Sequence, residues 1–239
     1  MHDFFAVIPA RVGSKGIPGK NMQIIGEKPM IQFTMETALA SSQLGSTIVS
    51  TDDNEVIKLA VEKGLNAPFT RPDHLSTDSA HLADVLIHAL DWYKLHNNQY
   101  PKNIVLLQPT SPFRTANDVD RAVKIFRGSR KTNLISACEL MQHPNDCLIQ
   151  NDDGSYKRVE IGLKSSSHSG RQKFCNAIFI DGAIYISNVA EFLETGDLIG
   201  EDPEVMMLPQ SHSIDIDTPF DLELARSMFK AGMLEKQSL

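Results

Sequence analysis

The sequence has little cysteine, no long apolar run and no excess of positive charge. Its 239 residues include three cysteines, and no two of them form a C-x-x-C pair, which argues against a disulfide framework and a zinc site. No apolar stretch has the length of a membrane span, and the N-terminus does not read as a secretory signal. The formal net charge of −7 argues against nucleic-acid binding. We therefore expect a cytoplasmic protein with no membrane or nucleic-acid partner.

Both common nucleotide-binding fingerprints are also missing, namely Gly-x-x-x-x-Gly-Lys-Ser/Thr and Gly-x-Gly-x-x-Gly. In their place, an apolar run at 4–8 ends at Pro9 and opens into a loop with three glycines. The polar and cationic side chains of this loop are Arg11, Ser14, Lys15, Lys20 and Asn21. Glycine lets backbone N–H groups approach phosphate oxygens closely, and the cations add positive charge. The loop alone leaves two alternatives, a triphosphate site and a solvated basic turn.

Strand and helix patterns alternate along most of the chain. Apolar runs bounded by turn residues predict strands, and apolar residues at helical spacing predict helices. Strands are predicted at 4–8, 47–50, 104–107, 134–138, 178–186 and 205–208, and helices at 29–40, 53–63, 79–95, 115–126 and 219–228. This order indicates an α/β, Rossmann-like fold with a mostly parallel sheet flanked by helices. Ligands bind such sheets beyond the carboxyl ends of the strands, where the 11–20 loop and Gln108 are expected.

The alternation stops between residues 143 and 176. A turn signal at 151–155 predicts a hairpin, and residues 164–170 are rich in serine without periodicity. We therefore divide the chain into an α/β domain at 1–142 and 177–239 and a small excursion at 143–176. The excursion has too few large apolar residues for its own core, so we expect it to pack on a second copy of the chain in a homodimer.

Two aspartates near the C-terminus form a candidate metal site. The alternating residues at 213–218 predict a strand with Asp215 and Asp217 on one face and two isoleucines on the other. Neighbouring carboxylates repel each other, and Mg²⁺ carrying phosphate oxygens would relieve that repulsion. The alternative is that Asp217, together with Thr218, caps the helix that begins at Pro219.

Five blocks, in order along nearly the whole chain, resemble the acylneuraminate cytidylyltransferases (CMP-sialic acid synthetases). The blocks are IPARVGSKG at 8–16 with Lys20-Asn21, VSTD at 49–52, LLQPTSP at 106–112 with Arg114, GAIY at 182–185 and SIDIDT at 213–218. The resemblance implies an enzyme that converts CTP and a nonulosonic acid, first of all N-acylneuraminate, into a CMP-sugar and diphosphate. It also implies Mg²⁺ held by Asp215 and Asp217, and a dimer contact made by the excursion.

The same resemblance assigns roles to individual side chains. The residues implied are Lys20, Arg11 and Asp217 for catalysis; Arg11, Ser14, Lys15, Asn21 and Arg114 for the nucleotide; and Gln108 and Arg171 for the sugar acid. Arg11 and Lys20 would neutralise phosphate charge. The general base is either Asp217 or a metal-bound hydroxide. Apart from the resemblance, Arg114 is equally well interpreted as a surface charge.

Some positions depart from the family pattern. Phe179, Ile180 and Asp181 stand where close relatives carry Arg-Pro-Asn, and Asp146 replaces a lysine. Because two positive groups near the sugar are missing, legionaminate, pseudaminate and Kdo remain alternatives to N-acylneuraminate. Two further classes also stay open: a glycosyltransferase with a D-x-D metal site, and a nucleotide-binding module without turnover.

Overall fold

A computed structural model describes residues 3–159, 161 and 175–233 of the chain. In this part of the chain the strands are β1 (Phe4–Ala10), β2 (Ile24–Ile25), β3 (Lys28–Pro29), β4 (Ser46–Thr51), β5 (Asn103–Leu106), β6 (Asn133–Glu139), β7 (Leu148–Gln150), β8 (Tyr156–Arg158), β9 (Ile178–Asn188) and β10 (Glu204–Met207). The α-helices are α1 (Met30–Ala40), α2 (Asn54–Glu62), α3 (Leu82–Asn97), α4 (Ala116–Gly128), α5 (Val189–Thr195) and α6 (Pro219–Lys230). None of the helices in these described residues is long and apolar enough to cross a membrane.

Six strands form the central sheet in the order β10-β6-β9-β5-β1-β4. β1 pairs in parallel with β4 and β5, and β10 pairs in parallel with β6. β9 runs antiparallel to both of its neighbours, β5 and β6. The predicted fold class, a mostly parallel sheet flanked by helices, is confirmed. The carboxyl ends of β1 and β5 lie side by side, so the 11–20 loop and the segment at Gln108 leave the sheet at the same edge.

Strand β1 is apolar along its whole length because both faces of the sheet are covered. Phe4, Ala6 and Ile8 pack with residues of α1 and α4 on one side. Phe5 and Val7 pack with residues of α3 and α5 on the other side. Each such buried large side chain contributes about 1.5–3 kcal/mol relative to an exposed one. This burial on both faces explains why the central strands were recognisable as continuous apolar runs.

Capping residues set where the helices near the sheet edge begin. At α4 the cap is Thr115, whose hydroxyl accepts a hydrogen bond from the Asp118 N–H at 3.1 Å, while the Asp118 carboxylate accepts from the Thr115 N–H at 2.9 Å. At α6 Thr218 and Asp221 make the same reciprocal pair, and Pro219 occupies the first helical position. Thr218 is therefore the cap, and the carboxylate of Asp217 is left to make other contacts.

The prediction of a strand at 213–218 is wrong. This segment follows a short 3-10 turn and enters α6 without pairing in a sheet, apart from one hydrogen bond from the Ile216 N–H to the Thr110 carbonyl at 2.9 Å. The alternation has another cause: Ile216 is fully buried and Ile214 packs beside it in a small apolar cluster with α6 and Phe113. Helix α5 is an addition that the sequence patterns did not predict.

The predicted hairpin is present as β7 and β8, joined by a turn in which Gly154 has φ +82°. At its base, the wholly buried Asn145 amide donates to the Ile161 carbonyl and accepts from the Ile161 N–H, at 3.2 and 2.8 Å. Within the described residues, the hairpin pairs with no strand of the central sheet. The division at residues 143 and 176 stays a proposal, and Arg171 lies outside the described residues.

Candidate functional site

The carboxyl ends of β1 and β5 border an open cleft of about 370 Å³, a volume in the range of small-molecule sites. The predicted site residues that line it are Arg11, Ser14, Lys20, Asn21, Gln108, Asp215 and Asp217. They come from three segments that are far apart in the sequence: the 11–20 loop with the adjoining Asn21, the segment after β5 and the segment before α6. The fold therefore brings most of the predicted residues to one place.

The 11–20 loop packs directly against the segment that carries the two aspartates. A Cβ atom at Gly16 would lie 2.5 Å from the carbonyl oxygen of Asp217, so only glycine permits this approach. Gly19 has φ +59°, a left-handed conformation that also favours glycine. Asn21 donates from Nδ2 to the Arg11 carbonyl at 3.1 Å and so ties the end of the loop to its beginning. The glycines thus fix the loop shape and its distance from Asp217.

Each of the three loop cations is paired with a carboxylate. Asp78, in the loop before α3, binds Arg11 through Oδ1 and Lys15 Nζ at 3.0 Å through Oδ2. Lys20 Nζ lies 2.8 Å from Asp217 Oδ1. Hydrogen bonds from Arg11 and Lys15 lower the pKa of Asp78, so this carboxylate is ionised at neutral pH. Lys15 does not line the cleft, although its partner Asp78 does.

Asp215 is the most unusual carboxylate of the cleft. Its Oδ1 atom is buried and has no hydrogen-bond partner among the residues that the structure describes. Burial raises the pKa of Asp215, and the nearby charge of Asp217 raises it further, whereas a hydrogen bond from Thr110 and the charge of Lys20 lower it. A buried carboxylate oxygen without a partner is costly for the fold, and a hard cation is a natural partner for it.

The residues fit a divalent cation that is shared with a ligand. Asp215 and Asp217 offer carboxylate oxygens, which Mg²⁺ prefers. The described part of the chain contains no group of three or more His, Cys, Asp or Glu side chains that would form a complete cage. Two carboxylates together with substrate phosphate oxygens and water are the usual environment of Mg²⁺ in phosphate-binding sites.

Gln108 lines the cleft, but Arg114 does not. The Arg114 side chain is fully buried and donates to the carbonyls of Gln108 and Ser111 and to Thr34 Oγ1, each at 2.8 Å. Burial lowers the pKa of Arg114 to about 9, opposed by the charges of Asp181 and Asp118, so the side chain stays protonated at neutral pH. Both sequence interpretations of Arg114, nucleotide contact and surface charge, need correction, because its fork holds the Gln108 loop from the inside.

The sequence patterns did not predict two of the cleft residues, Arg71 and Asp78. Arg71 lines the cleft and is only 3% exposed; its Nε donates to Ser76 Oγ at 3.1 Å, and its Nη2 lies 3.5 Å from Asp52 Oδ1. Burial lowers the pKa of Arg71, and Asp52 opposes this effect. The signal available in the sequence was length: 15 residues between two predicted helices, at 64–78, contain no predicted element, and long loops of this kind often carry function.

Three comparisons relate the chain to known proteins. A family model described as Cytidylyltransferase matches residues 5–147. A CMP-N,N'-diacetyllegionaminic acid synthase of Legionella pneumophila is 32% identical over 229 residues, which cover 94% of this chain and 95% of that protein. An N-acylneuraminate cytidylyltransferase of Escherichia coli is 31% identical over 220 residues, 92% of this chain and 50% of that protein.

A solved structure has a similar fold. It is a CMP:2-keto-3-deoxy-manno-octonic acid synthetase complexed with CTP, and the match has a TM-score of 0.68. The match covers 95% of this chain and 98% of the other chain at 20% sequence identity. At this identity the likeness concerns the fold alone.

Proposed function

Because the chain belongs to the cytidylyltransferase family, we propose that it transfers the cytidylyl group of CTP to a nonulosonic acid, giving a CMP-sugar and diphosphate. The observation that carries this proposal is the cleft itself, which joins the glycine-containing cationic loop to Asp215 and Asp217 at one sheet edge. A triphosphate needs that combination of backbone donors, positive charge and carboxylates for a cation.

In the proposed reaction the anomeric hydroxyl of the sugar acid attacks the α-phosphorus of CTP. An O–P bond forms, the bond to the β-phosphate oxygen breaks, and diphosphate leaves. Arg11, Lys15 and Lys20 neutralise charge on the phosphates as it moves to the leaving group. Asp217, in the cleft beside Lys20, is our candidate for accepting the hydroxyl proton. Gln108 presents its amide to the sugar acid.

We also propose Mg²⁺ as the cofactor, held by Asp215 and Asp217. The ion would supply positive charge to phosphate oxygens and help to orient the triphosphate. The unpartnered Oδ1 of Asp215 supports this assignment, since the cation would satisfy it. Lys20, the present partner of Asp217, would then be released toward the phosphates.

For the sugar acid we propose the neuraminate and legionaminate type ahead of Kdo. The two curated relatives with the corresponding names are 31–32% identical to this chain and cover 92–94% of it.

The test is diphosphate release from CTP and Mg²⁺ with a panel of acids: N-acetylneuraminate, N,N'-diacetyllegionaminate, pseudaminate and Kdo. We expect release with CTP and a nine-carbon acid, an equal amount of CMP-sugar by mass spectrometry, and none with EDTA. UTP and ATP in place of CTP serve as nucleotide controls. Absence of diphosphate with every acid of the panel would overturn the proposed function.

We further propose that the chain is a homodimer. The hairpin and the first half of β9 expose several large apolar side chains, namely Leu148, Ile149, Tyr156, Ile178 and Phe179. Single exposed apolar residues are ordinary, but these five lie in two short segments, and a second copy related by a two-fold axis would cover them. Arg171, within the same excursion, is proposed to contact the sugar acid or the phosphates.

A further inference from the structure

Asp78 bridges Arg11 and Lys15, the two more exposed cations of the 11–20 loop. Its Oδ1 binds the Arg11 guanidinium and its Oδ2 accepts from Lys15 Nζ at 3.0 Å. The Asp78 side chain is 39% exposed in a loop that lines the cleft, and it is 67 residues from Arg11 in sequence. The contact is therefore made by the fold and is not a local turn interaction.

The two oxygens of this carboxylate use the same donors that a phosphate group would use. Arginine and lysine bind phosphate oxygens through charge-assisted hydrogen bonds of the kind they make to Asp78. A carboxylate that stayed beside Arg11 and Lys15 would repel a bound triphosphate or diphosphate, because both carry negative charge. Since the Arg11 and Lys15 bonds keep Asp78 ionised at neutral pH, protonation does not remove the competition.

Resting on the function proposed above, we propose that Asp78 competes internally with phosphate for Arg11 and Lys15. When nucleotide binds, Arg11 and Lys15 leave Asp78 and bind the phosphates. They pair with Asp78 again as diphosphate leaves. The carboxylate thus lowers the affinity for diphosphate and favours its release. The opposite role, in which Asp78 orients the cations and strengthens phosphate binding, predicts a change of opposite sign.

The test compares Asp78→Asn with Asp84→Asn. Asn keeps the size of the side chain but removes its charge. Asp84 is exposed in the first turn of α3, six residues away, and within residues 3–159, 161 and 175–233 no ion pair to it is found. The two variants therefore change the net charge equally. A third variant, Asp78→Glu, keeps the carboxylate and is expected to behave nearly as the parent.

Calorimetry with inorganic diphosphate at low ionic strength gives the direct readout. Two exposed ion pairs of ordinary strength correspond to an affinity change of about three- to tenfold, so Asp78→Asn should bind diphosphate more tightly by that factor. Asp84→Asn should bind it as the parent does. The gain should shrink as salt is raised, because exposed charges are screened. The inhibition constant of diphosphate in the CTP assay should fall in parallel.

Equal or weaker diphosphate binding by folded Asp78→Asn would overturn the competitor role, as would absence of binding by both parent and variant. Diphosphate binding by the variant alone would support it. The proposed function is judged separately, by CTP binding and turnover of the parent. If the parent turns over CTP and Asp78→Asn shows no gain in diphosphate affinity, the proposed function stands and this inference is overturned. If the parent is inactive on the whole acid panel, the proposed function itself is overturned.

Discussion

At the scale of single residues, burial decides which charged side chains of this site act on ligands and which act on the fold. Arg114 is fully buried and donates hydrogen bonds to Gln108, Ser111 and Thr34. Asp215 is partly buried with one oxygen unpartnered in the described structure. The first therefore holds a loop in place, and we propose that the second binds a cation.

Substitution of Asp215 by Asn should separate stability from turnover. Because the pKa of Asp215 is raised in the folded protein, ionisation of Asp215 destabilises the fold. The contribution of the protonated carboxyl to the free energy of unfolding is fully present below the unfolded pKa of about 3.9 and is lost as pH rises through the folded pKa. Without Mg²⁺, Asp215→Asn should melt at least as high as the parent at pH 7, with the difference vanishing below pH ~4. Turnover should fall about 100-fold or more.

Differential scanning calorimetry at several pH values and the diphosphate assay measure both effects, with Asp84→Asn as the charge-matched control. A variant that melts well below the parent at pH 7, or that retains turnover within a few-fold, would contradict the assignment of Asp215.

Substitution of Arg114 by Lys should show that its hydrogen-bond geometry matters beyond its charge. Lysine keeps the positive charge but cannot reproduce the planar fork that reaches three acceptors, so buried acceptors lose their donors. We expect a loss of about 2–4 kcal/mol in the free energy of unfolding, and a raised KM for the sugar acid through a displaced Gln108. Urea denaturation measures the first quantity and initial rates the second.

The matched control is Arg121→Lys on α4, whose side chain is 45% exposed and donates to the Met207 carbonyl. It should cost less than about 1 kcal/mol. Equal losses in the two variants would show that Arg114 has no special positioning role.

At the scale of elements, the cleft depends on how closely the 11–20 loop approaches the segment before α6. Gly16 lies against the Asp217 backbone, and the Ile216 N–H is bonded to the Thr110 carbonyl of the Gln108 loop. The three segments that carry the site residues therefore contact one another directly, and a displacement of one moves the others.

Replacement of Gly16 by Ala should damage activity far more than stability. The added Cβ would meet the Asp217 carbonyl oxygen at 2.5 Å, so the loop and the aspartate segment must separate. A displacement of about 1 Å between reacting groups costs on the order of 100-fold in rate. Initial rates and thermal unfolding of the same preparation give the comparison.

The control is Gly128→Ala at the end of α4, where nothing lies within 4 Å of an added Cβ. That variant should keep its activity and gain slightly in stability. Parent-like rates in Gly16→Ala would contradict the close packing of the loop on Asp217.

The elements that could be predicted from the sequence are those whose packing requires a regular pattern of apolar residues. Central strands such as β1 are buried on both faces and so appear as apolar runs, and the family resemblance is confirmed. The segment 213–217 has the alternation of a strand without strand pairing, because a one-sided apolar contact gives the same pattern as a sheet. The pairing of Arg11 with Asp78 left no local pattern at all, since it joins residues 67 positions apart.

At the scale of the whole molecule, the exposed apolar group on the hairpin and β9 is the feature that a single chain leaves unexplained. Phe179 is its largest member on β9. A dimer that covers this group would bury the two excursions against each other or against the neighbouring subunit, next to the half of β9 that precedes the GAIY block at 182–185. Assembly and the sugar-acid site would then be coupled.

Phe179→Asp should therefore weaken the dimer. A charge placed in an apolar contact loses its hydration without a partner, which costs several kcal/mol. Multi-angle light scattering over a dilution series should show a dimeric parent and a monomeric variant. Leu95→Asp, at a residue of α3 that is 78% exposed, is the control and should leave the mass unchanged. A monomeric parent at micromolar concentration would contradict the proposed homodimer.

The position of β9 in the sheet has a consequence for the newly made chain. β9 is the strand that joins β5 to β6, yet it leaves the ribosome some 70 residues after β5 and about 40 after β6. Until it arrives, both of those strands have an unpaired edge, and exposed edges invite pairing with other chains. Synthesis of residues 107–177 is thus an interval in which these edges are open to pairing with other chains, and slow codons placed there would lengthen it.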